Sequence, residues 1–87
     1  GEFSLAQNYP NPFNATTHIR YSIQASGFTL LKVYDVLGRE VATLVKEVKA
    51  PGTYNVTWNA DGMASGVYFY RLQAGEFTQT KRLMLLR

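Results

Sequence analysis

The chain has 87 residues and no cysteine, so it fits one small domain whose fold has no disulfide or thiolate-bound metal to support it. Its 46% hydrophobic content argues against disorder. The formal net charge of +3 comes mostly from singly scattered basic residues, and no apolar run approaches the length of a membrane helix. We therefore predict no nucleic-acid partner and no membrane insertion.

The first residues are predicted to lie outside the domain. No signal peptide opens the chain, and residues 1–4 indicate a linker or a remnant of cloning. We expect the domain itself to span residues 5–87 and to be one piece of a longer protein.

The segment Gln7–Asn14, with the sequence QNYPNPFN, is named the latch. Pro10 and Pro12 donate no backbone hydrogen bond and favour an extended residue before them, so the latch cannot lie inside a sheet. We expect Tyr9 and Phe13 to anchor it across one open end of the core, where it would also shield an edge strand. The alternative is recognition of a partner by exposed aromatic side chains.

Alternation of apolar and polar residues dominates the rest of the chain and predicts six strands, with a short one before Asn8 making about seven. Regular turn signals between them indicate an all-β, immunoglobulin-like antiparallel sandwich with no helix of note. In the fourth of the six strands, Trp58 shares a face with Tyr54 and Val56, which we expect to face the core. The six strands are Thr17–Ile23, Thr29–Asp35, Arg39–Lys46, Thr53–Trp58, Val67–Gln73 and Phe77–Leu86.

Glycines open several of the predicted turns. Gly38 suits the positive φ of a tight turn. Gly52 and Gly66 each open a strand that carries a tyrosine two residues later, Tyr54 and Tyr68. A tyrosine corner, in which the hydroxyl bonds to backbone upstream, fits Tyr68 and less well Tyr54. Simple core packing is the alternative for both.

Catalytic and metal sites are not indicated. His18 is the only histidine, on the outward side of a strand, and catalysis would require it to meet a serine and an aspartate by chance. Those candidates are Ser22, Ser65, Asp35 and Asp61. Asn59 and Asp61 lie in a glycine-containing loop that could hold Ca²⁺, but the ligand spacing favours turn formation. We predict no enzymatic activity, no cofactor and no metal.

A carbohydrate-binding module is the main alternative function, because such modules are often sandwiches with a planar row of exposed aromatics. Tyr34, Tyr68, Phe69 and Tyr70 are the candidates for that row. Alternation buries part of the set, although consecutive aromatics must occupy both faces of their strand.

Several blocks of the sequence occur in a characteristic order: YPNPFN at 9–14, VYDVLGREV at 33–41, GTY at 52–54, Trp58, ASGVY at 64–68 and KRLMLLR at 81–87. In this order they resemble the type A C-terminal sorting domain of the bacterial type IX secretion system, over about Leu5 to Arg87. Ala15 departs from the pattern, because related sequences often carry a third proline there. The fold of that family resembles the Ig-like domain of flagellar hook-capping proteins.

The resemblance implies a non-catalytic signal that directs periplasmic cargo of a Gram-negative bacterium through an outer-membrane translocon. It also implies that a sortase-like cysteine protease cuts on the N-terminal side of Leu5 and that the cargo, which precedes the domain, is then anchored at the cell surface or released.

The final strand is predicted to carry the signal itself. Leu83–Leu86 is apolar on both faces, and three cations bracket it without an acid nearby in sequence. Such a strand suits docking to an acidic groove. The alternative is that the cations keep an apolar edge strand solvated and so prevent its association with other chains. The residues predicted to meet the translocon are Lys81, Arg82, Leu83, Leu85 and Arg87.

Overall fold

The computed structural model describes residues 2–87. Within that range the chain forms seven strands and no helix, as predicted. The strands are β1 (Ser4–Leu5), β2 (Thr16–Ile23), β3 (Gly27–Tyr34), β4 (Glu40–Lys49), β5 (Gly52–Asn59), β6 (Gly66–Ala74) and β7 (Phe77–Leu85). The two-residue β1 is the short strand expected before Asn8.

The strands form two antiparallel sheets, which confirms the predicted all-β sandwich. One sheet has the order β1-β2-β5 and the other the order β4-β3-β6-β7. In a constant-type immunoglobulin domain the fourth strand lies beside the fifth, but here β4 pairs with β3 at the edge of the opposite sheet. The second sheet therefore has four strands and the larger outer face.

The core lies between the sheets and follows the predicted alternation. In β2 the buried residues are Thr17, Ile19, Tyr21 and Ile23, and in β6 they are Tyr68, Tyr70, Leu72 and Ala74. Every second side chain of these strands meets the opposite sheet, which removes apolar surface from water. No buried side-chain nitrogen or oxygen in residues 2–87 lacks a hydrogen-bond partner.

β4 departs from regular pairing at two points. Lys32 pairs with Thr43 and the preceding Leu31 with Val45, so Leu44 has no partner, and a second shift leaves Val41 without one. Extra residues of this kind bend an edge strand and increase its twist. Val41 and Leu44 are partly buried and pack against the core.

The two tyrosines after glycine form equivalent hydrogen bonds. The Tyr54 hydroxyl donates to the Ala50 carbonyl at 2.6 Å, and the Tyr68 hydroxyl donates to the Ala64 carbonyl at 2.7 Å. The glycines that open these strands have φ of +154° (Gly52) and +143° (Gly66), values that L side chains rarely adopt. Tyr54 and Tyr68 therefore both form tyrosine corners, although the sequence favoured this role more for Tyr68 than for Tyr54.

The β3–β4 hairpin closes through the turn Asp35–Arg39, in which Gly38 has φ +82°. The Asp35 carboxylate accepts hydrogen bonds from the backbone N–H groups of Leu37 and Arg39, each at 2.9 Å. These bonds hold the pKa of the Asp35 carboxyl below its usual value, and the bond from the Arg39 backbone N–H has the largest effect.

Candidate functional site

The latch joins the two sheets along the side where β7 has an open edge and where β2 is unpaired beyond its two-residue pairing with β1. Tyr9 exchanges two backbone hydrogen bonds with His18 of β2, each at 2.9 Å. Four residues later the Phe13 N–H donates to the Met84 carbonyl at 3.0 Å, and the Leu86 N–H donates to the Phe13 carbonyl at 2.9 Å. The latch thus runs from one sheet to the other and covers part of both edges.

Only one of the two expected aromatic anchors is buried. Phe13 is 2% exposed, whereas Tyr9 is 78% exposed. The prediction that the Tyr9 side chain anchors the latch is wrong, because Tyr9 contributes its backbone to β2 and its ring points to solvent. Pro10 and Pro12 flank the exposed Asn11 between the two attachment points, and the Asn11 carboxamide oxygen accepts a hydrogen bond from the Met84 N–H at 3.0 Å.

The second anchor of the latch is Asn8, which the sequence analysis did not identify. Its N–H donates to the Tyr70 hydroxyl at 2.8 Å, and that hydroxyl donates to the Ala6 carbonyl at 2.7 Å. Its carboxamide donates to the Thr17 hydroxyl at 3.0 Å and to the Pro10 carbonyl at 3.2 Å. Burial raises the pKa of Tyr70 to about 12, opposed only by the bond from Asn8.

Phe13 belongs to an aromatic cluster around Trp58. The rings of Phe13 and Trp58 are 5.7 Å apart, and those of Trp58 and Tyr68 are 5.6 Å apart in an edge-to-face arrangement. Trp58 is buried, so it faces the core on the same side as Tyr54 and Val56. The latch therefore closes the end of the sandwich at which the Tyr68 corner lies.

The start of the chain also contacts the domain. The Phe3 ring stacks on Phe77 with centroids 5.4 Å apart, and Ser4 pairs with Ser22 in the first sheet. The boundary between residues 1–4 and the domain stays a prediction.

The final strand has one buried and one exposed face. Leu83 and Leu85 are fully buried, whereas Met84 and the following Leu86 are exposed. Both side chains fill the core of the folded domain, and their predicted contact with the translocon stays a prediction. The apolar side chains that a partner could reach are Met84 and Leu86.

Arg87 contacts the loop between β5 and β6. Its guanidinium donates to the carbonyls of Ala60 and Met63, both at 3.3 Å, and its N–H donates to the Ser65 hydroxyl at 3.0 Å. Asp61 lies 3.8 Å from the same guanidinium. The donors of Arg87 therefore hold a loop of the domain, and its predicted contact with the translocon stays a prediction.

Lys81 and Arg82 remain available for a partner, but they lie on opposite faces of β7. Lys81 alternates in phase with Leu83 and is half-buried, while Arg82 is exposed on the outer face next to Phe69. Within residues 2–87, neither has a carboxylate at ion-pair distance. The ion pairs formed in that range are Lys32–Glu40, Arg39–Asp35, Lys49–Glu47 and Arg87–Asp61.

The aromatic row required of a carbohydrate-binding module does not form. Tyr68 and Tyr70 are buried, which leaves Tyr34 and Phe69 as neighbours on the outer face. The Arg71 guanidinium lies 4.9 Å from the Tyr34 ring centroid, over one face of that ring. A sugar therefore finds no planar aromatic platform at these four positions.

The histidine and the candidate metal ligands have local structural roles. His18 bonds the Thr57 hydroxyl at 3.0 Å, and the Asn59 carboxamide oxygen accepts a hydrogen bond from the Asp61 N–H at 2.9 Å. The second contact is an Asx turn, the arrangement that favours turn formation over cation binding. Among residues 2–87, no group of three or more His, Cys, Asp or Glu side chains could hold a metal ion. No helix in the same range is long and apolar enough to cross a membrane.

The fold and the exposed side chains indicate a general class of protein, a β-sandwich domain that contacts other molecules. The molecule is a two-sheet sandwich with a closed core, and the side chains left available on its surface are suited to contacts with other molecules. Residues 7–86 match the family described as the secretion system C-terminal sorting domain. The chain belongs to that family, whose members are sorting signals for type IX secretion and are in general not catalytic. No curated protein matches the sequence.

Family membership also gives the broad context. Type IX sorting domains act with the secretion machinery, follow a cargo region in the same polypeptide, and lead to secretion or export to the cell surface. The match covers residues 7–86, so it includes the whole latch and residues 81–86 at the end of the chain.

Proposed function

We propose that the folded domain carries its cargo from the periplasm of a Gram-negative bacterium through the type IX outer-membrane translocon. The observation that supports this proposal most strongly is the family match over residues 7–86, which takes in both the latch and β7. The domain acts by being recognised, and we expect it to have no catalytic activity and to need no cofactor.

The translocon contacts the exposed side of β7. This side presents Arg82 and Met84, with Leu86 following, while Lys81 lies half-buried on the other side of the strand. An exposed cation beside exposed apolar side chains is typical of a surface that binds a partner of opposite charge. Leu83, Leu85 and Arg87 support this surface from within the fold.

After export, a sortase-like cysteine protease cuts on the N-terminal side of Leu5, and the cargo is anchored or released. β1 pairs with β2 at only two positions, so little structure has to open there for a protease to reach the chain. The latch, by contrast, is tied into both sheets and is a poor substrate.

The test is a fusion of residues 2–87 to the C-terminus of a periplasmic reporter, expressed in a host with an active type IX system. We expect the reporter in the medium or on the cell surface. The matched control lacks β7, which removes the surface and the latch partner together, and should stay in the periplasm. A parental fusion that accumulates in the periplasm as an intact folded protein would contradict the proposed function.

A further inference from the structure

The outer face of the four-stranded sheet carries a diagonal row of cations. Each of its strands contributes one: Lys46 from β4, Lys32 from β3, Arg71 from β6 and Arg82 from β7. Lys32 and Arg71 are direct cross-strand neighbours. Lys46 pairs with Leu30, two positions along β3 from Lys32. Arg82 pairs with Phe69, two positions along β6 from Arg71, so the row crosses the sheet obliquely.

Most of this charge is not neutralised within the domain. Lys32 forms an ion pair with Glu40 at 3.1 Å. In the part of the chain that the structure describes, no carboxylate lies within ion-pair distance of Lys46, Arg71 or Arg82. The Arg71 guanidinium is fixed in place, since it stacks on Tyr34 and donates to the Tyr34 hydroxyl at 2.7 Å.

Exposed apolar side chains border the row on both sides. Phe28 and Val48 are cross-strand partners on one side, 51% and 70% exposed. Met84 lies beyond Arg82 on the other side and pairs with Val67. Of the residues in the row and its borders, the two arginines, Phe28 and Met84 are of the types enriched at protein interfaces.

The outer face of the smaller sheet has a different character. Its side chains are polar and bond one another across the strands: His18 with Thr57 at 3.0 Å, Arg20 with Asn55 at 3.4 Å and Ser22 with Thr53 at 2.9 Å. Because these polar side chains already bond one another, few of them need a hydrogen bond from a partner. This face therefore provides a control surface within the same domain.

We propose that the outer face of the sheet β4-β3-β6-β7 docks onto a protein surface that presents acidic side chains between apolar ones. This proposal rests on the proposed function and assigns the chemistry of the partner that reads the signal. A second copy of the chain does not fit, because two such faces would oppose cation to cation. An anionic membrane fits less well, because Glu40 lies on the same face, where a protein partner can place a complementary group opposite it.

The first test compares two variants with equal changes in net charge. Lys46→Glu/Arg82→Glu reverses the two ends of the row, neither of which forms an ion pair within residues 2–87. Arg20→Glu/Thr53→Glu/Asn55→Glu makes the matched change on the polar face. In the reporter fusion, we expect the first variant to lower export at least about tenfold and the second to leave it near parental, since like charges across an interface oppose docking.

Folding is measured alongside export, because a variant that does not fold would also fail to export. Both variants should give parental circular dichroism spectra, and Lys46→Gln/Arg82→Gln provides a milder version should the reversed pair misfold. Export of the folded charge-reversed or neutral variant at the parental rate would overturn the docking surface while leaving the proposed function intact. Failure of the parental fusion would instead count against the proposed function.

A second test does not depend on secretion and identifies the kind of partner. Poly-L-glutamate is titrated into the ¹⁵N-labelled chain at low ionic strength. We expect amide shifts concentrated in β3, β4, β6 and β7, few in β2 and β5, and their loss in Lys46→Glu/Arg82→Glu. Shifts spread over both sheets would overturn the assignment. The assignment would also be overturned if poly-L-glutamate caused no shifts and the chain sedimented with phosphatidylcholine vesicles that contain phosphatidylglycerol.

Discussion

The two ends of the sandwich carry the same local motif in different surroundings. At one end Tyr68 is buried beside Trp58, the latch covers them, and Arg87 holds the adjoining loop. At the other end Tyr54 is half-buried, stacks on Tyr21 at 5.4 Å, and has the Lys49 ammonium 4.8 Å from its ring. A Gly-x-Tyr sequence sets the same turn twice, but long-range packing decides how much stability each turn provides.

The largest expected effect is at the covered end. Trp58→Ala removes the ring that contacts both Phe13 and Tyr68, and we expect a loss of about 3–5 kcal/mol in the free energy of unfolding. That is a large part of the total of about 5–15 kcal/mol typical of a domain. Urea denaturation followed by circular dichroism measures the loss. An unchanged midpoint would mean that this end is not the main source of stability.

Removing one hydroxyl should release the start of the latch. Tyr70→Phe leaves the buried Asn8 N–H without a partner, and we expect a loss of about 1–3 kcal/mol. The measurement is again the urea midpoint. The control is Tyr34→Phe, whose hydroxyl accepts a bond from Arg71 in a partly buried site. A smaller loss for Tyr70→Phe than for Tyr34→Phe would argue against the latch as a closed element.

The same variant has a defined pH dependence. The pKa of Tyr70 is raised from 10.0 to about 12 in the folded state, so the stabilising neutral form is fully present below pH 10. Stability from this group should then be lost as the pH rises through about 12. The advantage of the parental protein over Tyr70→Phe is expected to shrink across that interval. An advantage that stays constant would contradict the burial of the Tyr70 hydroxyl that raises its pKa.

The two corners allow a direct comparison. Tyr68→Phe should lower stability by about 1 kcal/mol, because its bond to the Ala64 carbonyl lies in a partly buried site. Tyr54→Phe should lower it by about 0.5 kcal/mol or less, because water can replace the hydroxyl at the exposed Ala50 carbonyl. Thermal melting of the two variants side by side tests the order, and equal shifts would show that surroundings do not matter.

Two arginines of the final run should behave differently. Arg87→Gln removes donors to two loop carbonyls and should cost about 0.5–1 kcal/mol, whereas Arg82→Gln should cost less than about 0.5 kcal/mol. In the reporter fusion the order reverses, and Arg82→Gln should reduce export more. Equal effects in both assays would mean that the two cations share one role.

At Ala15 a substitution is expected to raise stability. Ala15 follows the latch with φ +74°, a conformation that is unfavourable for a residue with a Cβ and closed to proline. Ala15→Gly should stabilise the domain by about 0.5 kcal/mol, and Ala15→Pro should destabilise it strongly. Differential scanning calorimetry compares the two, and stabilisation by proline would show that the turn has another conformation.

The strands were predictable because their alternation is strong and local. Thr17–Ile23 and Val67–Gln73 each match an observed strand to within one residue at either end. The phase of β7 was not predictable in this way, because Leu83–Leu86 is apolar at every position and either set of alternate residues could face the core. The structure buries Leu83 and Leu85.

Contacts between distant parts of the chain explain the other differences. Tyr9 is the larger side chain, yet Asn8 is buried because Tyr70 and Thr17 supply hydrogen bonds from elsewhere in the fold. Arg87 holds carbonyls that lie more than twenty residues earlier. No spacing in the sequence indicates these partners, because they become neighbours only when the two sheets pack.

The latch has a consequence for the order in which the molecule is made. Within the domain, Phe13 and Asn11 leave the ribosome before their backbone partner Met84, which lies in β7. A truncated product has no partner for the latch, and without β7 the edge of β6 is left open. The latch can therefore close only after synthesis has passed β7, and a chain that stops before β7 cannot complete the contacts between the latch and the second sheet.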